Sequence, residues 1–162
     1  MLEASTGEII FQKNVNEKRP PASMTKMMSM LLIMENIEKG NLTFEEEVTA
    51  SAYASSMGGS QIFLKAGEKM KVEDLLKGIA IGSGNDATVA MAERIAGTEE
   101  AFVKLMNDRA KELGLNNTNF KNSTGLDVEN HYSTAYDMSV IARELVLSLI
   151  HISEPTRRSY IS

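Results

Sequence analysis

The chain has 162 residues, 43% of them hydrophobic, enough for one core and, by length, one domain. Its net charge of −5 mixes both signs, with no Lys/Arg cluster of useful length before residue 157, which argues against nucleic acid as a partner. With no Cys and only two His, unpaired on any helix, disulfides and thiolate metal sites are excluded, and neither a metal nor a cofactor is expected.

No apolar run reaches the roughly 18 residues of a membrane span. The start, Met1-Leu2-Glu3-Ala4, has neither the basic nor the apolar region of a signal peptide. Residues 1–13 alternate loosely about Ser5-Thr6-Gly7, which predicts two strands and a tight turn, a hairpin at a sheet edge. A polar connection over 14–19 leads to Pro20-Pro21, which holds the chain extended before a helix over 23–39. Apolar residues at 24, 27, 28, 31, 34 and 37 keep helical spacing, and those at 30, 32 and 33 make nearly the whole circumference hydrophobic. Such a helix is buried on most sides. Lys39-Gly40 stops it.

The run Glu45-Glu46-Glu47 reads as solvated surface, and 48–60 as a flexible loop rich in Ser and Gly. A small hairpin is expected over 61–71, with its turn at Ala66-Gly67-Glu68, then a short helix over 72–81. Gly82-Ser83-Gly84-Asn85 breaks the pattern. A helix rich in small residues follows over 87–96, and Thr98 caps another, with Glu99 and Glu100 in its first turn and Phe102, Leu105, Met106, Ala110 and Leu113 on one face. Residues 116–127 are turn-rich. Thr134-Ala135-Tyr136-Asp137 reads as a capping box ahead of a fifth helix to about 149, and 150–162 is expected as an irregular tail of non-native sequence or a frayed terminus.

Two motifs carry chemistry. Ser23 and Lys26, three residues apart in a first helical turn, share a face, so the amine can reach the hydroxyl. Serine becomes a nucleophile when a base takes its proton, and lysine can be that base once burial lowers its pKa toward 7. The free amides of a helix start could also hold an oxyanion. A Ser-x-x-Lys pair is expected about once by chance among 15 serines and 11 lysines, so a second signal is needed. Ser83-Gly84-Asn85, rarer by composition, presents two polar side chains between buried helices; its bland alternative is an ordinary helix N-cap.

Together, Pro21-Ala22-Ser23-Met24-Thr25-Lys26 and Ser83-Gly84-Asn85-Asp86-Ala87 resemble the low-molecular-weight penicillin-binding proteins, the serine-type D-alanyl-D-alanine carboxypeptidases. The likeness runs from Glu3-Ala4-Ser5-Thr6-Gly7-Glu8 through Asn122-Ser123-Thr124-Gly125-Leu126 to Ser133-Thr134-Ala135-Tyr136-Asp137-Met138, about residues 3 to 149. It implies an α+β fold of the DD-peptidase and β-lactamase kind, with a helical lobe around the buried Ser-x-x-Lys helix and a remnant of an antiparallel sheet. It implies a domain piece over 1–149. By the same resemblance Ser23 is the acylated nucleophile, Lys26 its base, Ser83 a proton relay to the leaving group, and Asn85 a holder of the substrate amide that orients Lys26.

The implied partners are the peptidoglycan stem peptide and β-lactams. The implied setting is the cell envelope, in a membrane-associated parent protein whose fragment self-associates at its open sheet edge. The family's third element, Lys-Thr-Gly or Lys-Ser-Gly on a strand, is missing here: Lys65-Ala66-Gly67 precedes Ser83, and Lys121 to Gly125 has the wrong spacing. Truncation before that element is therefore expected. Two alternatives stand beside the carboxypeptidase: a β-lactamase-like acyl-serine hydrolase, and a catalytically inert fragment.

Overall fold

A computed structural model of the chain describes the backbone of residues 1–161 and the side chains of residues 1–152. Its centre is α1 (Lys26–Glu38), continued from a 3-10 turn over Ala22–Thr25. Met28, Leu31, Leu32, Ile33 and Met34 are all buried, as a helix apolar on nearly every side must be. Gly40, at φ +78°, turns the chain away where a side chain would be strained, and its N–H donates to the Ile37 carbonyl.

Five further helices follow: α2 (Ala52–Ser55), α3 (Val72–Gly82), α4 (Asn85–Ala96), α5 (Glu99–Glu112) and α6 (Ala135–Ile161). α1 touches α3, α4, α5 and α6, and thereby divides the interior in two. On one side Met28, Leu31, Phe102, Met106, Phe120 and Ile141 form a cluster; on the other, Ile33, Val72, Leu75, Ile79, Val89 and Met91 form a second. The small residues of α4, Ala87, Ala90 and Ala92, are buried, so that helix fits closely against its neighbours.

The sheet differs from expectation. β1 (Glu47–Thr49) pairs antiparallel with β2 (Lys69–Lys71), Val48 opposite Met70, whereas Gln61–Lys65 forms no strand. The reason lies at long range: the carboxylate of Asp86 accepts the Ile62 and Leu64 amides at 3.1 and 2.9 Å, so they have no free N–H for a ladder. Within the acidic run Glu45 pairs with Lys71 at 2.6 Å, and Glu46 pairs with Arg94. The loop after β1 contains α2, capped by the Ser51 hydroxyl, which accepts from the Ala54 amide.

The first hairpin shrinks to a single bridge between Leu2 and Ile9. The Glu3 carboxylate accepts from the Thr6 amide and from the Ser5 and Thr6 hydroxyls, which holds its pKa near 2 and fastens the turn. Arg143 of α6 donates to the carbonyls of Ala4 and Ser5, tying the hairpin to the helical body. α6 also departs from expectation, continuing from 149 to Ile161 where an irregular tail was expected. Past residue 149 no glycine supplies a C-cap and Ile152 still packs on the core, and the helix runs on through Pro155. Ser162 lies outside the described residues.

On α5, Phe102 is fully buried while Leu105 is 40% exposed, so the core-facing stripe is narrower than the sequence pattern. Phe102→Ala should cost about 3–5 kcal/mol, and Leu105→Ala about 0.5 kcal/mol or less. Urea midpoints measure both. Equal losses would mean that α5 is docked through a different face.

Candidate active site

Pro21 is buried and the chain then rises to the surface: Ala22 takes φ +50°, and Ser23 is exposed. One turn further the direction reverses, for Thr25 and Lys26 are 0% and 3% exposed. Ser23 thus stands in solvent, on the same short turn as a lysine that enters the interior.

The Lys26 Nζ donates to the carbonyl of Thr124 at 2.8 Å, and among the described residues it forms no ion pair. Burial without a counter-charge disfavours the ammonium and lowers its pKa from 10.5 to about 8. At pH 7 about one amine in ten is then free, against roughly one in three thousand at the ordinary value. Lys26 is therefore an amine that can take up a proton near neutral pH.

The segment that supplies this acceptor is itself held from behind. Ser29, one turn along α1, donates to the Ser123 carbonyl at 2.7 Å, and Glu99 accepts from both the amide and the hydroxyl of Ser123. The other oxygen of Glu99 accepts from Tyr53, whose phenol is pushed up in pKa by that bond. Beside it, Gly125 at φ +90° passes so close that a Cβ there would lie 1.8 Å from the Ala22 carbonyl and 3.1 Å from the Ser23 nitrogen. Only glycine fits.

The second motif is delivered by the junction of α3 and α4. Ser83 ends α3 in the left-handed region, φ +53°, and its hydroxyl oxygen is buried with no hydrogen-bond partner among the described residues. Asn85 is buried in the first turn of α4, where its Nδ2 donates to the Gly58 carbonyl at 2.7 Å and its backbone N–H donates to the Ser60 carbonyl. Gly84 is the N-cap residue of α4 and no side chain caps it, so the bland N-cap alternative does not hold. A Cβ on Gly59 would meet Asn85 Nδ2 at 2.8 Å and Leu126 at 3.8 Å. Segment 124–126 therefore touches Lys26, the Ser23 turn, and the loop that holds Asn85.

Two surface cavities of about 810 Å³ lie elsewhere, one lined by Tyr53, Glu99, Asn107 and Lys121, the other by Glu35, Asn36, Leu105 and Arg109; none of Ser23, Lys26, Ser83 or Asn85 lines either. Among the described residues no group of three or more His, Cys, Asp or Glu could hold a metal. Nor is any described helix long and apolar enough to cross a membrane.

Sequence reasoning missed Thr124, Gly125, Ser29 and Glu99 as parts of this arrangement. Gly125 carried a signal, since glycine before an apolar anchor in a turn-rich stretch suggests positive φ. The others act through a backbone carbonyl or at long range, which leaves no local pattern. Gly125→Ala should displace the Ser23 turn and slow any Ser23 acylation at least tenfold, while Leu105→Ala, exposed on α5 away from these residues, should leave it unchanged. Rates of fluorescent-penicillin labelling measure both, and an unimpaired Gly125→Ala would show that the turn yields freely.

Comparison with known proteins identifies the family and the fold. The family model described as D-alanyl-D-alanine carboxypeptidase matches residues 1–161. The chain is 60% identical over 146 residues to D-alanyl-D-alanine carboxypeptidase DacF of Bacillus subtilis, covering 90% of this chain and 38% of that protein. To DacA of Escherichia coli K12 it is 39% identical over 152 residues, again 90% of this chain and 38% of that one. Among solved structures, the carboxypeptidase DacD of Francisella tularensis superposes with a TM-score of 0.87 at 43% identity, over 90% of this chain and 35% of that one. Penicillin binding protein 6B of Escherichia coli gives 0.87 at 36% identity, over 90% and 48%. The chain spans well under half the length of the curated relatives it matches. Its helices and small antiparallel sheet are those of the DD-peptidase fold, and it belongs to the D-alanyl-D-alanine carboxypeptidase family.

Proposed function

We propose that this chain carries the acylating machinery of a serine D-Ala-D-Ala carboxypeptidase, with Ser23, Lys26, Ser83 and Asn85 in the roles that the family resemblance implies. One observation supports the reading most: an amine buried without a counter-charge lies in the same turn as an exposed serine. Free Lys26 takes the Ser23 proton as the oxygen attacks the carbonyl of the penultimate D-Ala. The peptide C–N bond breaks, the departing D-Ala nitrogen receives a proton through the Ser83 hydroxyl, and the stem peptide remains as an ester on Ser23. Water, activated by the same amine, cleaves that ester and returns the proton to Ser23. Asn85 holds the substrate amide. A β-lactam acylates Ser23 by the same attack.

The setting follows from the substrate: the cell envelope, with the whole protein associated with a membrane. Ile9, Ile10 and Phe11, 46–62% exposed on the first hairpin, form the edge through which the chain would self-associate. The missing Lys-Thr-Gly favours a slower second reading, in which this chain folds but turns over little. Without that cation the substrate carboxylate is unpaired, which lowers the rate roughly 30- to 5000-fold relative to a longer chain carrying the motif.

Fluorescent penicillin separates the outcomes. Lasting label that disappears in Ser23→Ala supports the carboxypeptidase; label shed within minutes supports a β-lactamase-like hydrolase; absence of label supports an inert fragment. The labelling rate should rise about tenfold per pH unit below 8 and level off above it, because the base is the deprotonated amine. A rate flat between pH 6 and 9 would remove Lys26 from the role. D-Ala release at equal rates from this chain and the longer one would contradict the part given to Lys-Thr-Gly.

A further inference from the structure

Thr25 lies between the two acylating residues and is fully buried, and its hydroxyl meets His131 Nε2 at 2.9 Å. His131 is itself 3% exposed, and its other nitrogen, Nδ1, accepts the backbone N–H of Lys121 at 2.9 Å. A nitrogen that accepts an N–H carries no proton of its own, so the neutral ring has its hydrogen on Nε2 and donates it to Thr25 Oγ1. The ring is fixed further by the edge of Phe120, at 5.9 Å between centroids. Antiparallel bridges on both sides, Asn119 with Tyr132 and Arg19 with Ser133, hold the backbone around it. His131 therefore joins the Ser23–Lys26 turn to the segment that supplies the Thr124 acceptor, a task that the proposed mechanism leaves unassigned.

We infer that His131 is a positioning residue for acylation: its neutral imidazole, held by the Lys121 amide and donating to Thr25, sets the turn that presents Ser23 to Lys26. The inference rests on the proposed acyl-serine function. Protonation would place a second hydrogen on Nδ1, facing the Lys121 N–H, two donors with no acceptor between them. The imidazolium is thus incompatible with the latch. Burial favours the neutral form and lowers the pKa from 6.5, while the charge of Asp127 opposes that shift. A surface groove beside the ring is lined by Asp127 and by the other charged groups around it, Lys18, Arg19 and Glu129, with Lys26 beyond Thr25 and the side chain of Lys121 exposed. Two cations and two carboxylates share the groove, and neither sign prevails.

The test compares wild type with His131→Gln, His131→Ala and Thr25→Val. A glutamine amide offers one acceptor and one donor about as far apart as the two ring nitrogens, so His131→Gln should keep most of the acylation rate. His131→Ala and Thr25→Val should each slow fluorescent-penicillin acylation at least tenfold, and the double variant should be no slower than the worse single one. In wild type the acid limb should steepen from tenfold to a hundredfold per pH unit once His131 protonates; in His131→Gln it should stay tenfold throughout.

Hydrogen exchange at the Lys26 amide, which donates to the Ser23 carbonyl, provides a readout independent of activity. Faster exchange in His131→Ala but not in His131→Gln supports the latch even if no variant is labelled, an outcome that would sink the acyl-serine reading alone. Unchanged exchange in a folded His131→Ala overturns the inference, as does an identical acid limb in wild type and His131→Gln.

Discussion

The amine of Lys26, taken out of water and given a carbonyl in place of a carboxylate, is the constraint on which the rest depends. A buried ammonium is costly unless it is paired, and among the described residues no charge pairs it. What the chain supplies is the Thr124 carbonyl, which accepts from an amine in either protonation state. The neutral form is therefore brought within reach of physiological pH, and the segment that offers that carbonyl must be located to within a hydrogen-bond length.

That demand explains several contacts otherwise scattered through the sequence. Ser29 and Glu99 hold Ser123 from α1 and α5, Gly125 passes where no side chain fits, and His131 ties the same region back to Thr25. The two clusters packed on α1 give those contacts a rigid base. They also sustain local strain. Ala22, next to the proposed nucleophile, and Ser83, the proposed proton relay, take positive φ values of 50° and 53°, a conformation that costs of order 1–3 kcal/mol per residue.

The longer helices were legible from signals in their own sequence, apolar spacing through α1, a Thr98 cap for α5, small residues in α4, whereas the four-residue α2 falls in a stretch read as a flexible loop. What failed did so for want of such a signal. Asp86 captures two amides of the 62–64 stretch and so prevents a strand there; the hydrogen bonds that decide this span more than twenty residues. α6 ran past its expected end because an apolar pattern fades before a helix does when no glycine stops it. Of the site, Ser23, Lys26, Ser83 and Asn85 were visible as motifs. Thr124 was not, since a carbonyl belongs to every residue and only its placement distinguishes one from another. His131 was passed over as one of two unpaired histidines, and its partner lies 106 residues away.

The central claim concerns one ionisation, which can be followed directly. With lysine side chains isotopically labelled and Lys26→Arg used to assign the signal, NMR should show the Lys26 amine titrating near pH 8. If the signal lost in Lys26→Arg titrates instead at the ordinary lysine value of about 10.4, the amine is not desolvated as described, and Lys26 is not the base.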